Sequence, residues 1–292
     1  MMWLTKTSTN RAFHALFSER AWLFAIALLA IIQTPAFAQF YPPVQTETSS
    51  LEEIDPNRPS VFDSPAYLEA GYTTDHLTNN YKTWNSQYVN IFVPLKQHGL
   101  FNIQLDNVTR YGLTDQVVSG TYAYPFKYGV LNVEGYYSAN AAYLAKNALG
   151  TTWNGRLPES FGYILGATQR QYLESQSNIY KLGVEKYLGE FRFAYIGILS
   201  TINQTQPSFA QLFQAQWVGA TNNRLGLSYS QGAEPMVVTQ GTLASVKTQY
   251  VQLDSLYWLN KQVGVTVALW HGMQGDYYQR NGGQIGLRFN LE

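Results

Sequence analysis

The fold of this chain is decided by the stretch Ile179–Leu199, which reads IYKLGVEKYLGEFRFAYIGIL. Its apolar positions begin with Tyr180, Leu182 and Val184, and the positions between them are Lys181, Gly183 and Glu185. A tight turn at Leu188-Gly189-Glu190 follows, and the alternation resumes with Phe191 and Phe193. Because successive side chains of a strand point to opposite faces, two alternating segments joined by a tight turn predict an antiparallel hairpin.

The same alternation returns along most of the chain. Segments 101–106, 263–269 and 284–289 each carry an apolar face and a polar or small-residue face. A soluble β-sandwich also alternates, but its strands run to about 5 or 6 residues. The segments here run to about 10 to 13 residues, the length that crosses a bilayer at a tilt. The pattern therefore predicts an all-β, antiparallel transmembrane β-barrel over residues 66–292.

The connections between strands predict the strand count and the topology. The short turns lie at 96–99, 126–129, 154–157, 188–190, 221–223 and 260–262, and the longer connections near 77–81, 111–114, 139–144, 173–176, 203–207, 232–244 and 272–279. The two classes interleave when Ala145–Trp153 is counted as a strand, which gives fourteen strands with short periplasmic turns and longer extracellular loops. A barrel of twelve strands is the alternative if two segments are misassigned.

The composition supports a membrane barrel. Charged residues make up only 13% of the chain and aromatic residues 15%, whereas a soluble domain carries about 25% charged residues. The 19 basic and 19 acidic residues balance, which argues against a nucleic-acid-binding protein. With no cysteine, a disulfide framework and a thiolate metal site are excluded.

The first part of the chain is predicted to be a targeting segment. Lys6, Arg11 and Arg20 precede the apolar run Ala21–Ile32, and small residues around Ala38 match a cleavage site. This pattern predicts a signal peptide over residues 1–38, and the run is too short to span about 30 Å of hydrocarbon. Residues 39–65 are rich in proline and acidic residues and predict an extended periplasmic lead-in.

Several motifs resemble the YaiO-type family of outer-membrane β-barrels. In order, they are Thr109-Arg110-Tyr111-Gly112 followed by Asp115, Tyr124-Pro125, Gly135-Tyr136-Tyr137-Ser138, Leu157-Pro158-Glu159-Ser160-Phe161-Gly162 and Lys186-Tyr187-Leu188-Gly189-Glu190-Phe191-Arg192. The resemblance covers Trp84–Leu243. It implies an outer-membrane barrel, in a family whose biochemical role is poorly defined.

A catalytic or metal site is not predicted. A barrel hydrolase needs a nucleophile beside a base, and the histidines after the signal segment, His76, His98 and His271, are scattered along the chain. The sequence neighbours Asp75 and His76, and Asp276 near His271, are better explained by chance. We therefore expect no enzymatic activity, no cofactor and no metal.

Charged residues within strands are expected to face the lumen, because a basic residue facing mid-membrane lipid costs about 2–4 kcal/mol. The candidate lumen charges are Arg110, Asp115, Lys181, Glu185, Arg192, Asp254 and Arg288. Their signs nearly balance, which favours pairs that hold the barrel rigid over a charged constriction that filters ions or sugars. Arg110 and Asp115 are predicted to flank a turn at the outer rim, and they are the first two residues to examine.

The favoured function is transport or an envelope role, such as passage of a polysaccharide or a small solute. The alternatives are a structural or adhesive barrel that acts through its outer loops, and, less favoured, a barrel enzyme acting on lipid or peptide. The expected partners are outer-membrane lipid, lipopolysaccharide and the barrel-assembly machinery, with no nucleic acid. The expected location is the cell outer membrane.

Overall fold

The barrel closes as predicted, with fourteen antiparallel strands. The computed structural model describes residues 61–203, 206–219, 222–239 and 242–291. The strands are β1 (Ala66–Leu77), β2 (Trp84–Pro94), β3 (Leu100–Arg110), β4 (Leu113–Phe126), β5 (Gly129–Ser138), β6 (Asn147–Leu157), β7 (Phe161–Gln171), β8 (Gln176–Leu188), β9 (Phe191–Ile202), β10 (Gln206–Val218), β11 (Arg224–Thr239), β12 (Thr242–Trp258), β13 (Val263–Gln274) and β14 (Tyr278–Leu291). The segment Ala145–Trp153, on which the count of fourteen depends, falls largely within β6. In the described ranges, no helix is long and apolar enough to cross a membrane.

Closure is made by the first and last strands. β1 pairs with β14 along its whole length, from Ala66 opposite Leu291 to Leu77 opposite Arg280. Every other strand pairs with its neighbours in sequence. A closed ladder satisfies the backbone groups without an open edge, which is the condition for crossing hydrocarbon with strands.

The two faces of the wall separate as the alternation predicts. On β8, Leu182 is 67% exposed on the outer face, whereas Glu185 on the inner face is 2% exposed. On β9, Phe191 and Phe193 point outward, while Arg192 between them is buried. The apolar outer wall matches a lipid-facing surface, and the polar side chains are turned into the lumen.

An aromatic belt lies along one side of the barrel at one end, across β3, β4 and β6. The rings of Phe101 and Tyr122 lie 4.6 Å apart, those of Tyr124 and Phe126 4.9 Å apart, and those of Phe126 and Trp153 5.7 Å apart. Such girdles lie at the boundary between lipid and water in barrels of this class. The belt therefore marks one membrane interface.

We call this end of the barrel the turn end, because it carries the start of β1, the end of β14 and the predicted short turns; the other is the loop end.

One predicted turn is wrong in position. Residues 154–157 belong to β6, and the turn follows at 158–160, where Glu159 and Ser160 adopt positive φ values of 60°. Asn154-Gly155 suggested a turn, but pairing with β7 extends β6 through both residues.

The predicted long loop at Gly232–Ala244 is also wrong. Most of it is strand, because β11 and β12 run to 16 and 17 residues and pair with each other up to Thr239 opposite Thr242. The other loop-end connections are short, and the longest of them spans residues 139–146. The predicted contrast between short turns and longer loops is therefore seen mainly at one place, where β11 and β12 project from the barrel as a hairpin.

The N-terminal assignments mostly lie outside the described residues. The predicted signal peptide, and the lead-in up to residue 60, belong to the part that the structure does not describe. From Val61 to Asp63 the chain forms one 3₁₀ turn, and Phe62 packs at the turn end against Tyr67 and Phe92. Residues 61–63 therefore pack against the turn end of the barrel and do not extend away from it.

The outward position of Leu182 gives a direct test of the wall. Leu182→Arg should destabilise the barrel by about 2–4 kcal/mol and block its assembly, because it places a guanidinium in lipid. Lys181→Met, one residue away on the inner face, should be far better tolerated. Heat-modifiable migration of the two variants on a gel distinguishes them. Equal loss of folded barrel in both variants would contradict the assignment of the two faces.

Candidate functional site

The lumen holds a large polar cavity. Its volume is about 410 Å³, and residues from β2 to β12 surround it. Its lining mixes neutral amide and hydroxyl side chains, among them Asn102, Asn132, Thr152, Gln214, Ser228 and Gln252, with apolar and charged side chains. Inward polar side chains of this kind are typical of barrels whose interior holds water. The cavity is therefore the candidate functional site.

The side of the lumen next to the closure between β1 and β14 is filled. Arg288 pairs with Glu69 at 2.8 Å, and Glu69 also accepts hydrogen bonds from the Tyr88 hydroxyl at 2.7 Å and from Thr266 at 3.0 Å. A Cβ on Gly71 would lie 2.5 Å from the Tyr88 hydroxyl, so glycine is what lets this ring lie against the wall. A smaller cavity of about 150 Å³ lies on this side.

A second buried ion pair lies nearer the loop end. Arg280 donates to Asp75 at 2.6 Å, and the Trp270 indole nitrogen donates to the same carboxylate oxygen at 2.6 Å. His76, the next residue, is exposed on the opposite face of β1. The neighbours Asp75 and His76 are therefore turned away from each other.

Two predicted lumen charges, Glu185 and Arg192, form a third pair. They meet at 2.9 Å with side chains that are 1% and 5% exposed, and Arg192 also donates to Gln214 at 3.4 Å. Like Arg288 on Glu69, this pair ties neighbouring strands together inside the wall. The geometry of all three ion pairs supports the interpretation that the lumen charges hold the barrel rigid. It does not favour a charged constriction that filters ions or sugars.

Arg110 and Asp115, which flank the turn between β3 and β4, make separate contacts. Asp115 accepts hydrogen bonds from the backbone N–H groups of Ala142 at 2.9 Å and of Leu144 at 3.3 Å, which holds segment 139–146 down on the barrel. The Arg110 guanidinium instead lies 3.7 Å from the centre of the Trp84 ring. The two residues face inward but have separate roles, because the loop backbone occupies the carboxylate.

The last predicted charge, Asp254, also borders the cavity. Gln252 donates to it at 3.4 Å. A Cβ on Gly226 would meet its carboxylate oxygen at 2.7 Å, so the carboxylate lies close against the backbone of β11. Asp254 is thus packed on the wall at the margin of the cavity.

Four charged side chains line the cavity as a group that we call the lumen quartet, and they are Glu134, Arg170, Lys181 and Glu234. Glu134 and Arg170 are the charged neighbours of Lys181, and Arg170 is the charged neighbour of Glu234. Within the described part of the chain, none of the four forms a close ion pair. The quartet therefore contributes charge of both signs to the wall of the cavity.

Of the quartet, only Lys181 is among the lumen charges that the sequence predicts. Glu234 falls in the segment that the sequence predicts to be a loop, and Arg170 lies in the polar run Gln169-Arg170-Gln171, where no apolar alternation shows which way a side chain points. In the ladder between β7 and β8, Arg170 lies opposite Ser177, just before the alternating segment of β8. This register determines which face of the sheet carries the Arg170 side chain.

The protruding hairpin covers the loop end of this cavity. β11 pairs with β10 only as far as Gly232, and the ladder between β12 and β13 starts at Thr248. Residues 233–239 and 242–247, which we call the covering hairpin, therefore lie beyond the ladders with β10 and β13. At Gly232 φ is +145°, and a Cβ would lie 2.4 Å from the Cα of Ala210. Glycine is therefore required where β11 leaves its ladder with β10.

Apolar contacts hold the covering hairpin over the opening. Met236 packs against a cluster that includes Trp84 and Leu144, from the opposite side of the barrel. Leu243 packs in a second cluster with Ala145 and Tyr172. Leu144 and Met236 also line the cavity, so they form its roof.

The described residues contain no group of three or more histidine, cysteine or acidic side chains placed to hold a metal ion. His271 hydrogen-bonds Asn281 at 2.8 Å on the exposed surface, away from the lumen. Within the described part of the chain, the site thus consists of polar and charged side chains around a cavity.

Solved structures with a similar fold are outer-membrane proteins. A bacterial polysaccharide outer membrane secretin aligns with 78% of this chain and 99% of its own, at 10% identity and a TM-score of 0.50. Omp33 of Acinetobacter baumannii aligns with 78% of this chain and 99% of its own, at 11% identity and 0.48. An anion-selective porin of Comamonas acidovorans aligns with 77% and 98%, at 10% identity and 0.42. At these identities, the likeness is one of fold.

A search of curated proteins gave no match. A family model does match, and its description is YaiO membrane beta barrel domain. The match covers residues 66–236, from the first residue of β1 into the covering hairpin. It confirms the resemblance found in the motifs. The chain belongs to the YaiO family of membrane β-barrels.

Proposed function

We propose that this protein is an outer-membrane barrel, exported by a cleaved signal peptide, that lets small hydrophilic solutes pass through its lumen. The observation that carries the proposal is the cavity of about 410 Å³, lined in part by amide, hydroxyl and charged side chains, inside an apolar outer wall. A cavity of this size is in the range of sites that hold small molecules. Its lining of amide and hydroxyl groups suits solutes rich in hydroxyl groups, such as saccharides.

The lumen quartet supports a hydrated interior. Charged groups without close partners are costly in a dry, apolar environment. Glu134 and Lys181 keep their charges at low cost only if water reaches them. A hydrated lumen with charges of both signs is what passage of small polar solutes requires.

The competing functions have less support. An adhesive barrel would act through long exposed loops, whereas the loop-end connections are short apart from the covering hairpin, which packs on the barrel itself. We propose no enzymatic role, because His76, His98 and His271 are exposed at separate places. The solute path therefore remains the function that the geometry favours.

Single-channel conductance in a planar bilayer tests the proposal. Wild-type barrels should show openings, and Lys181→Glu should shift the reversal potential in a salt gradient toward cations, because it reverses a charge that lines the lumen. Lys261→Glu makes the same charge change in an exposed turn and should leave selectivity unchanged. Silence of correctly folded wild-type barrels, and of barrels that lack residues 234–246, would overturn the proposal.

A further inference from the structure

Arg110 occupies a distinctive place in the lumen. It ends β3 on the inner face, is 7% exposed, and borders both the cavity of about 410 Å³ and that of about 150 Å³. Trp84 supports it from one side, with the guanidinium carbon 3.7 Å from the ring centre. This contact fixes the plane of the guanidinium beside the cavities.

Three other buried lumen arginines each have a carboxylate. The pairs are Arg192 with Glu185 at 2.9 Å, Arg280 with Asp75 at 2.6 Å and Arg288 with Glu69 at 2.8 Å. Arg110 has no ion pair with any described carboxylate, and its buried Nε lacks a hydrogen-bond partner. It is therefore a buried cation that, within the described chain, has no ion pair with a carboxylate and an Nε without a hydrogen-bond partner.

The surroundings of Arg110 do not neutralise it. Its charged neighbours are Arg280 and Asp75, and the Asp75 carboxylate already accepts hydrogen bonds from Arg280 and Trp270. Asp115, the nearest acid in sequence, is bound to the backbone of segment 139–146. The local charge of two arginines and one aspartate leaves one positive charge in excess.

A buried guanidinium without a counterion favours binding of an anion, because the anion supplies the missing partner. Its planar set of donors fits the paired oxygens of a carboxylate or a phosphate. Tyr136 and Tyr172 add aromatic faces to the adjoining cavity. A small anionic solute would find both a charge partner and an apolar surface there.

We propose that Arg110 binds the anionic oxygen group, a carboxylate or a phosphate, of a small hydrophilic solute held in the main cavity. The proposal builds on the proposed passage function and names the class of solute. Trp84 acts as the positioning residue that holds the guanidinium plane. Neutral solutes of the same size enter the cavity but bind more weakly.

Equilibrium binding to the purified, folded, full-length barrel in detergent tests this inference. Calorimetric titration with glucuronate, glucose 6-phosphate and glucose compares a carboxylate, a phosphate and a neutral sugar. Wild type should bind at least one of the anionic sugars about tenfold or more tightly than glucose. Preference between the two anionic probes identifies which oxygen group the site takes.

Two variants connect the binding to Arg110. Arg110→Gln should lose the preference for the anionic sugar, and Arg110→Lys should retain only part of it, because lysine keeps the charge but not the planar set of donors. Lys261→Gln, in an exposed turn, is the matched control. Heat-modifiable migration on a gel establishes that each variant is folded before titration.

Equal binding of glucose and the anionic sugars by wild type, or unchanged binding by folded Arg110→Gln, would overturn the inference. Titration in detergent does not depend on passage through a membrane. Conductance without Arg110-dependent binding would therefore reject only the anion site. Binding without conductance would reject only the passage function.

Discussion

Removal of the covering hairpin should convert brief channel openings into steady conductance. Residues 234–246 are replaced by Asn-Gly, so that Ala233 is joined to Lys247 through a two-residue turn. These residues face each other in the ladder between β11 and β12, and Asn-Gly is a favoured turn for joining paired strands. The wall of the barrel is thereby kept while its cover is removed.

The expected effect is large because the roof of the cavity belongs to this hairpin. Met236 and Val237 line the cavity, and Met236 and Leu243 hold the hairpin against the far side of the opening. Single-channel recordings of wild type and variant in the same bilayer measure the change. The open fraction should rise, and the conductance of each open channel should not fall.

A finer variant separates the apolar contacts from the length of the hairpin. Met236→Ser combined with Leu243→Ser leaves the hairpin in place but removes its apolar attachment, and should raise the open fraction to an intermediate value. Lys247→Ser changes an exposed residue of the same hairpin and should behave like wild type. Identical recordings from wild type and from the barrel without residues 234–246 would show that the hairpin is not the barrier.

The covering hairpin also shows where prediction from sequence reached its limit. Alternation identified the barrel, because the membrane imposes one apolar face on every crossing strand. Beyond Gly232 the strands leave the membrane wall, and the segment containing Glu234 and Pro235 has no lipid-facing side. Local sequence therefore read as a loop, although pairing between β11 and β12 keeps it extended.

The lumen charges illustrate the same limit. The alternation placed Glu185, Arg192 and Arg288 on the inner face, and all three are buried there. It did not identify their partners, since Arg288 meets Glu69 only when β14 closes onto β1. The separation of Arg110 from Asp115 likewise depends on how segment 139–146 folds back onto the rim. Contacts between residues that are distant in sequence can therefore be identified only in the closed barrel.

Arg288→Met should destabilise the barrel by about 3–5 kcal/mol, the cost of leaving one member of a buried ion pair without its partner. The Glu69 carboxylate that remains is 6% exposed and still receives hydrogen bonds from Tyr88 and Thr266. These neutral donors compensate only part of the lost charge. Urea unfolding in phospholipid vesicles, followed by tryptophan fluorescence, measures the change as a shift of the midpoint.

Two controls assign the loss to the uncompensated carboxylate rather than to the smaller side chain. Arg288→Met combined with Glu69→Gln removes both charges and should recover much of the stability, because a neutral amide is cheaper to bury than an unpaired carboxylate. Arg110→Met removes an arginine of similar burial that has no ion pair with a described carboxylate, so its cost should be much smaller. If Arg110→Met and Arg288→Met were equally destabilised, the pair between β1 and β14 would contribute no more than packing. If the double variant were worse than Arg288→Met alone, the cost would lie in the lost hydrogen bonds around Tyr88, and charge compensation at the closure would not be what stabilises the barrel.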